Sequence, residues 1–247
     1  RITQIKEPVS ISFNSLEKSY ELNNIVNLDC DGIHLHESFK KLMQFESKQN
    51  RLPQNWNETD FKMLNLDSDY KYNKFFGNTI NGGFIPVCSI LGSYAAQEAI
   101  KAITHKYLPT NQWFYYHCYD ILPEDHNPEV KLQKDRYDTM RLIFGNNLVD
   151  KIRSQSYFVV GSGAIGCEHL KNFSMMGIGS LNSKIVVTDM DTIEKSNLSR
   201  QFLFRNNHIG QVKSNVASRE AMKMNPDCNI IAHQNKICKD TENVYNY

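Results

Sequence analysis

The spacing of hydrophobic positions changes along the chain and marks out four stretches. In the first, Val9, Ile11 and Phe13 alternate, which predicts a strand within residues 1–20. Residues 21–80 are polar and irregular around one helix-like segment, where Phe39, Leu42, Met43 and Phe45 recur at near-helical spacing. Asn50 to Asp60 reads as a loop between periodic segments. In the third stretch, 84–122, Pro86 suits the first turn of a helix. Val87, Ile90, Leu91, Tyr94 and Ala95 then fall on one face, which Ile100 and Ile103 extend. Trp113 to Tyr119 is aromatic and predicts a strand; Pro123 to Pro128 reads as a polar connection.

The fourth stretch, 129–247, is the most regular. Tyr157-Phe158-Val159-Val160 is a short apolar run of the kind found in buried parallel strands. A helix follows to Met176 and closes at Gly177. Ile185-Val186-Val187 predicts a second buried strand, ending in Thr188-Asp189. Lys213 to Asn225 reads as a helix with Val216, Ala217, Ala221 and Met224 inward, and Pro226 sits past its end. Ile230-Ile231-Ala232 predicts a third strand. Strand-helix-strand-helix-strand is the α/β pattern of a doubly wound, Rossmann-like sheet.

The turn between the first strand and its helix carries chemistry. Gly161, Gly163 and Gly166 form G-x-G-x-x-G. In this pattern the first glycine permits a tight turn, the second lets phosphates approach the backbone, and the third packs helix against strand. Free N–H groups at the helix start favour an anion. Asp189 ends the second strand, 23 residues beyond Gly166, where a carboxylate accepts hydrogen bonds from ribose hydroxyls. A dehydrogenase needs only that acid here. A triphosphate carries more charge and calls for cations, and Arg200 and Lys213 follow in the next block.

Composition narrows the rest. A formal net charge of +1 gives no electrostatic footprint for nucleic acid. The longest uncharged run, between Lys74 and Glu98, contains Pro86, glycines and polar residues, so no membrane span is expected. The six cysteines form no C-x-x-C pair and the eight histidines show no metal-ligand spacing, so no metal site is expected in these residues. The cysteines read as reduced, buried thiols of a cytosolic or nuclear protein. Cys167 stands near a helix start that could lower its pKa, but packing on the sheet is the favoured role. His34 and His36 are expected to face solvent. The start at Arg1 and the last residues, Thr241 to Tyr247, read as cuts within a longer protein.

In order and spacing, GSGAIGCE, VVTDMDTIEKSNLSRQFLF and GQVKS closely resemble the active adenylation domain of ubiquitin-activating enzymes. Arg136-Tyr137-Asp138 through Phe144-Gly145 resembles the segment that opens this active half. Ala95-Ala96-Gln97-Glu98, Pro109 and Gln112-Trp113 resemble the segment that closes the inactive half. The resemblance implies that residues 1–20 end a first catalytic-cysteine half-domain. It makes 21–80 a four-helix-bundle-like insertion, 81–128 the C-terminal part of the inactive adenylation domain, and 129–247 the N-terminal part of the active one.

The resemblance also implies roles, residue by residue. Gly161, Gly163, Ala164 and Gly166 lie against the nucleotide and Asp189 holds its ribose. Asn197, Arg200 and Gln201 lie in the loop that meets the phosphates, and Lys213 reaches them from the next helix. Arg200 and Lys213 carry the catalytic charge. Ser199 stands where the family often has Asn, and Thr139 where simpler relatives have an arginine. ATP and Mg²⁺ are the implied cofactors, and the implied reaction is adenylation of ubiquitin's C-terminal carboxylate. Thioester transfer follows to a cysteine outside this chain, so the chain alone is not expected to complete the reaction. Ubiquitin and, through missing domains, ubiquitin-conjugating enzymes are the implied partners, in cytoplasm and nucleus. The rival readings are an activator of another ubiquitin-like modifier, an NAD-dependent Rossmann dehydrogenase and a non-catalytic adenylation-like scaffold.

Overall fold

The structure, a computed structural model, describes residues 9–21, 25–26 and 32–245. They divide into two compact units, one lying within 1–81 and 90–126, the other within 82–89 and 127–247. No helix of the described residues is long and apolar enough to cross a membrane.

In the first unit the order is α1 (Leu16–Ser19), β1 (Ile25–Val26), α2 (Gly32–Gln49), α3 (Glu58–Leu64), α4 (Asn73–Asn78), α5 (Ile85–Thr104) and β2 (Trp113–Phe114). Helix α5 is divided at 89/90, and its later part belongs here. Leu35, Phe45, Leu64, Tyr70, Phe75 and Phe76 are buried as its core. Helix α3 starts where Asn57 accepts the N–H of Asp60 at 3.0 Å. Asp60 is itself buried, held by both Arg51 guanidinium nitrogens at 2.6 and 2.8 Å.

Several expectations fail in this unit. Residues 9–15 form no strand, and Val9 and Phe13 are exposed; alternation alone does not supply a pairing partner. Residues 32–78 hold three helices rather than one, because α3 is built on a polar cap and not on an apolar stripe. The aromatic strand shrinks to two residues, paired in parallel with β1. No residue of α5 is fully buried, although Tyr94 stacks on Phe114 at 3.7 Å between centroids. His36 is buried, not solvent-facing: Tyr20 O lies 2.9 Å from Nε2 and the Tyr115 hydroxyl 2.8 Å from Nδ1. His34 is half-buried and stacks on Tyr70.

The second unit is the expected parallel α/β layer. Its elements are α6 (Asp138–Arg153), β3 (Tyr157–Val160), α7 (Ala164–Met176), β4 (Ile185–Thr188), α8 (Lys213–Met224) and β5 (Ile230–His233). The sheet order is β3-β4-β5, and Val160, Thr188 and His233 stand in register at its carboxyl end. All four residues of β4 are buried, as expected of a strand paired on both sides. Val216, Ala217 and Ala221 of α8 are fully buried; Met224 is half-buried at the last turn. Strand β3 departs from the expected burial, with Tyr157 43% and Val160 63% exposed. Among the described residues it pairs only with β4, so its run of apolar side chains borders an open edge.

The segment ahead of β3 is tied to the far end of the layer. Arg136 Nη2 donates to the Met224 carbonyl at 2.6 Å, satisfying an orphan acceptor at the end of α8. Buried Asn225 donates to the Tyr137 hydroxyl at 2.8 Å and to the Ser174 carbonyl at 2.7 Å. Arg141 has no exposed side-chain surface and bridges Asp135 at 2.5 Å and Asp138 at 2.6 Å.

The Arg141 guanidinium holds the Asp135 carboxyl below its ordinary range. Burial works against Asp138, but the Gln133 N–H and Arg141 outweigh it and lower that carboxyl as well. Depressed folded values mean stability that is complete above the unfolded carboxyl range, about 4, and lost as pH falls through the folded values. Protection of the β4 amides, measured relative to their intrinsic exchange, should therefore fall as pH drops below about 4. Arg141→Met should cost roughly 3 kcal/mol at pH 6 and flatten that acid response; an unchanged response would remove this cluster from the account.

Candidate nucleotide site

The carboxyl ends of β3 and β4 are where a doubly wound sheet places a ligand, and most of the expected site residues gather there. The turn after β3 begins at Gly161, with φ +90°, a conformation side chains disfavour. Ser162 and Gly163 follow, and α7 starts at Ala164 with no side-chain cap on its N-terminus. Its first N–H groups therefore have no side-chain acceptor from the capping residue.

The glycines differ in what they permit. A Cβ on Gly166 would lie 2.2 Å from the Gly161 carbonyl oxygen and 3.0 Å from its carbon, so helix and turn touch backbone to backbone. A Cβ on Gly163 would meet nothing nearer than Gln201 Nε2 at 3.9 Å. That second position is an open cradle, as close approach of a phosphate requires.

Asp189 closes over this turn from β4. Its Oδ2 accepts the Ser162 N–H at 2.6 Å and the Ser162 hydroxyl at 3.0 Å. Its Oδ1 accepts the Asp191 N–H at 3.0 Å. Its carbonyl accepts the Ser214 hydroxyl at 3.1 Å, which ties the strand end to the start of α8. Lys213, the first residue of α8, is buried and donates from Nζ to Asp191 Oδ2 at 2.9 Å.

The intervening loop is made of short 3-10 turns at Lys195–Ser199 and Asn206–His208. Asn197 is buried there, and its Oδ1 accepts the Glu194 N–H at 3.0 Å. This amide oxygen therefore closes the turn. Arg200 is exposed and folds back to the Ser196 carbonyl at 3.1 Å. Gln201 is buried beside Gly163, and its Oε1 has no hydrogen-bond partner. Its Nε2, the donor end of the amide, is the atom nearest the open Gly163 cradle.

The structure thus brings Gly163, Gln201, Asp189 and the start of α8 to one strand end, and leaves Arg200 on an outer turn. Ser162, Asp191 and Ser214 were not singled out from the sequence. The G-S-G and D-x-D spacings were visible, but their pairing depends on how two loops meet. Cys167 is fully buried, and burial pushes its thiol up to about 11, which suits packing and not reactivity. Cys228 is likewise buried, whereas Cys88 and Cys238 are exposed against expectation; Cys30 lies outside the described residues. Among the described residues no group of three or more His, Cys, Asp or Glu could hold a metal ion.

A glycine turn, an acid tied to it and an uncapped helix on a parallel sheet define a nucleotide-binding module of the doubly wound class. Residues 136–246 match the ThiF family, and residues 7–65 match the ubiquitin-activating enzyme E1 four-helix bundle. The chain is 39% identical to the ubiquitin-like modifier-activating enzyme 1 of Oryctolagus cuniculus, an alignment covering 99% of this chain and 25% of that protein. It is 37% identical to human ubiquitin-like modifier-activating enzyme 6, covering 98% and 25%, and 36% identical to human enzyme 7, covering 99% and 27%. Among solved structures, Escherichia coli MccB with ATP aligns at 28% identity and a TM-score of 0.39, over 44% of this chain and 33% of that one. The chain belongs to the ubiquitin-like modifier-activating enzymes and spans about a quarter of the length of these curated relatives.

Two substitutions separate packing from access. Gly166→Ala should destabilise the unit by about 1–3 kcal/mol, because backbone atoms must move. Gly163→Ala should leave thermal stability within about 0.5 kcal/mol. Urea titrations of both variants check this ordering, and the reverse ordering would contradict the contacts described.

Proposed function

We propose that the full-length protein activates ubiquitin by ATP-dependent adenylation of its C-terminal carboxylate. The observation that carries this reading is the open Gly163 cradle between the uncapped start of α7 and the Asp189 carboxylate. Family membership supports the reaction class. The choice of ubiquitin over another ubiquitin-like modifier is the finer part of the proposal. The division proposed is a half-domain end at 1–20, a bundle-like insertion at 21–80, the end of the inactive half at 81–128, and the active half from 129. Action in cytoplasm and nucleus, with ubiquitin-conjugating enzymes as later partners through other domains, belongs to the same proposal.

The residues present fit an adenine ribonucleotide triphosphate. Asp189 accepts a ribose hydroxyl, and the N–H groups at the start of α7 face the phosphates across Gly163. Gln201 supplies a polar amide at the same cradle. Lys213 must exchange its bond to Asp191 for one to phosphate, and Arg200 must leave the Ser196 carbonyl. Mg²⁺ would arrive with the triphosphate and supply charge neutralisation.

The chemistry asks little proton transfer of the protein. A carboxylate is already ionised at neutral pH, so its attack requires no general base. An oxygen of ubiquitin's C-terminal carboxylate bonds to the α-phosphorus. The bridging bond to the β-phosphate breaks, and pyrophosphate leaves with the electron pair. What these residues provide is alignment and preorganised positive charge.

ATP–pyrophosphate exchange by the full-length enzyme tests this. Exchange should require ubiquitin, disappear in Asp189→Ala, and fall by about 10²–10³ in Lys213→Ala. Exchange driven only by a different modifier would change the substrate while keeping the chemistry. A folded protein with no exchange for any modifier would point to the scaffold role.

A further inference from the structure

The middle residue of the glycine turn is Ser162, and its hydrogen bonds have a consequence for how a ribose can be held. Ser162 has no exposed surface. Its N–H and its hydroxyl both donate to one oxygen, Asp189 Oδ2, at 2.6 and 3.0 Å. An ionised carboxylate only accepts, so the Ser162 hydroxyl proton must point at Asp189. The other oxygen, Oδ1, already accepts the Asp191 N–H at 3.0 Å.

A carboxylate offers about four lone-pair sites in all. The protein fills three of them: both on Oδ2, and one on Oδ1. One site is left, on Oδ1. The carboxylate is also fixed in rotation, because its two oxygens are held from two different segments, the turn after β3 and the loop after β4.

We propose that Ser162 is a positioning residue that makes ribose recognition one-sided: Asp189 takes one hydroxyl through Oδ1, and Ser162 blocks the bidentate grip on both. Both halves of the device are local. The backbone N–H of Ser162 orients the acid and would survive substitution of the side chain. The hydroxyl alone closes the second acceptor site, so its removal should open Oδ2 to the second ribose hydroxyl. The proposal rests on the nucleotide site described above and adds to it a selectivity within the ribose.

The test is nucleotide binding by the full-length enzyme, measured calorimetrically with the Mg²⁺ salts of ATP, 2′-deoxyATP and 3′-deoxyATP. In the wild type one deoxy analogue should bind about tenfold or more weakly than ATP, and the other within about threefold. In Ser162→Ala, both analogues should lose affinity relative to ATP by similar factors. That ratio is a readout that a merely structural role for Ser162 does not move. Equal losses in the wild type would overturn the proposal without recourse to the variant, and so would a wild-type ratio that persists in Ser162→Ala. If ATP does not bind the wild type, or binds Asp189→Ala equally well, the nucleotide reading itself fails and the proposal with it. If ATP binds and depends on Asp189 but the two analogues are equivalent, only the role of Ser162 is lost.

Discussion

Helix α7 begins where it does because its third residue has no side chain. At Gly166 the helix lies against the backbone of its own preceding turn, so closely that a single methyl would meet the Gly161 carbonyl at 2.2 Å. That approach fixes the path of Ser162 and Gly163 between strand and helix. The path in turn puts the Ser162 N–H within reach of Asp189 on the neighbouring strand. Remove the approach and the acid loses its partner, the cradle at Gly163 changes shape, and the N-terminus of α7 no longer faces the strand ends. A packing constraint and a chemical one are the same contact seen from two sides.

The two cations assigned to phosphate in the proposed function each have a weak partner in the structure. Lys213 is neutralised by Asp191 across 2.9 Å, and Arg200 is parked on a carbonyl. Asp191 is more than half exposed, so its hold on Lys213 is screened by water and modest in strength. A bound polyphosphate offers Lys213 more charge than one carboxylate does. The buried position of the lysine sets its direction, and under the proposed function it would keep that direction while its partner changed, which is the value of preorganised charge over mobile surface charge.

Much of the second unit could be read from the chain alone. The helices ending at Gly177 and before Pro226, and the strands at Ile185 and Ile230, follow from period and punctuation. They recur in the structure because both signals arise from local backbone chemistry. The partial exposure of β3 could not be read, because an apolar tetrapeptide looks the same whether strands flank it on one side or on both. The burial of His36 is not legible in the sequence because it depends on Tyr20 and Tyr115, one of which lies 79 residues away. The role of Ser162 is hidden for the same reason, since its partner lies 27 residues away. The glycine motif announces its glycines, and the residue between them acquires meaning only when β4 delivers Asp189.

Among the described residues β3 is paired on one side only. Tyr157-Phe158-Val159-Val160 contains no charge, no proline and no glycine, and so has none of the devices by which exposed strand edges usually discourage pairing with another chain. Among the described residues no strand pairs on its other side, so the same four residues that anchor the glycine turn also present a row of backbone N–H and C=O groups to whatever lies beside them.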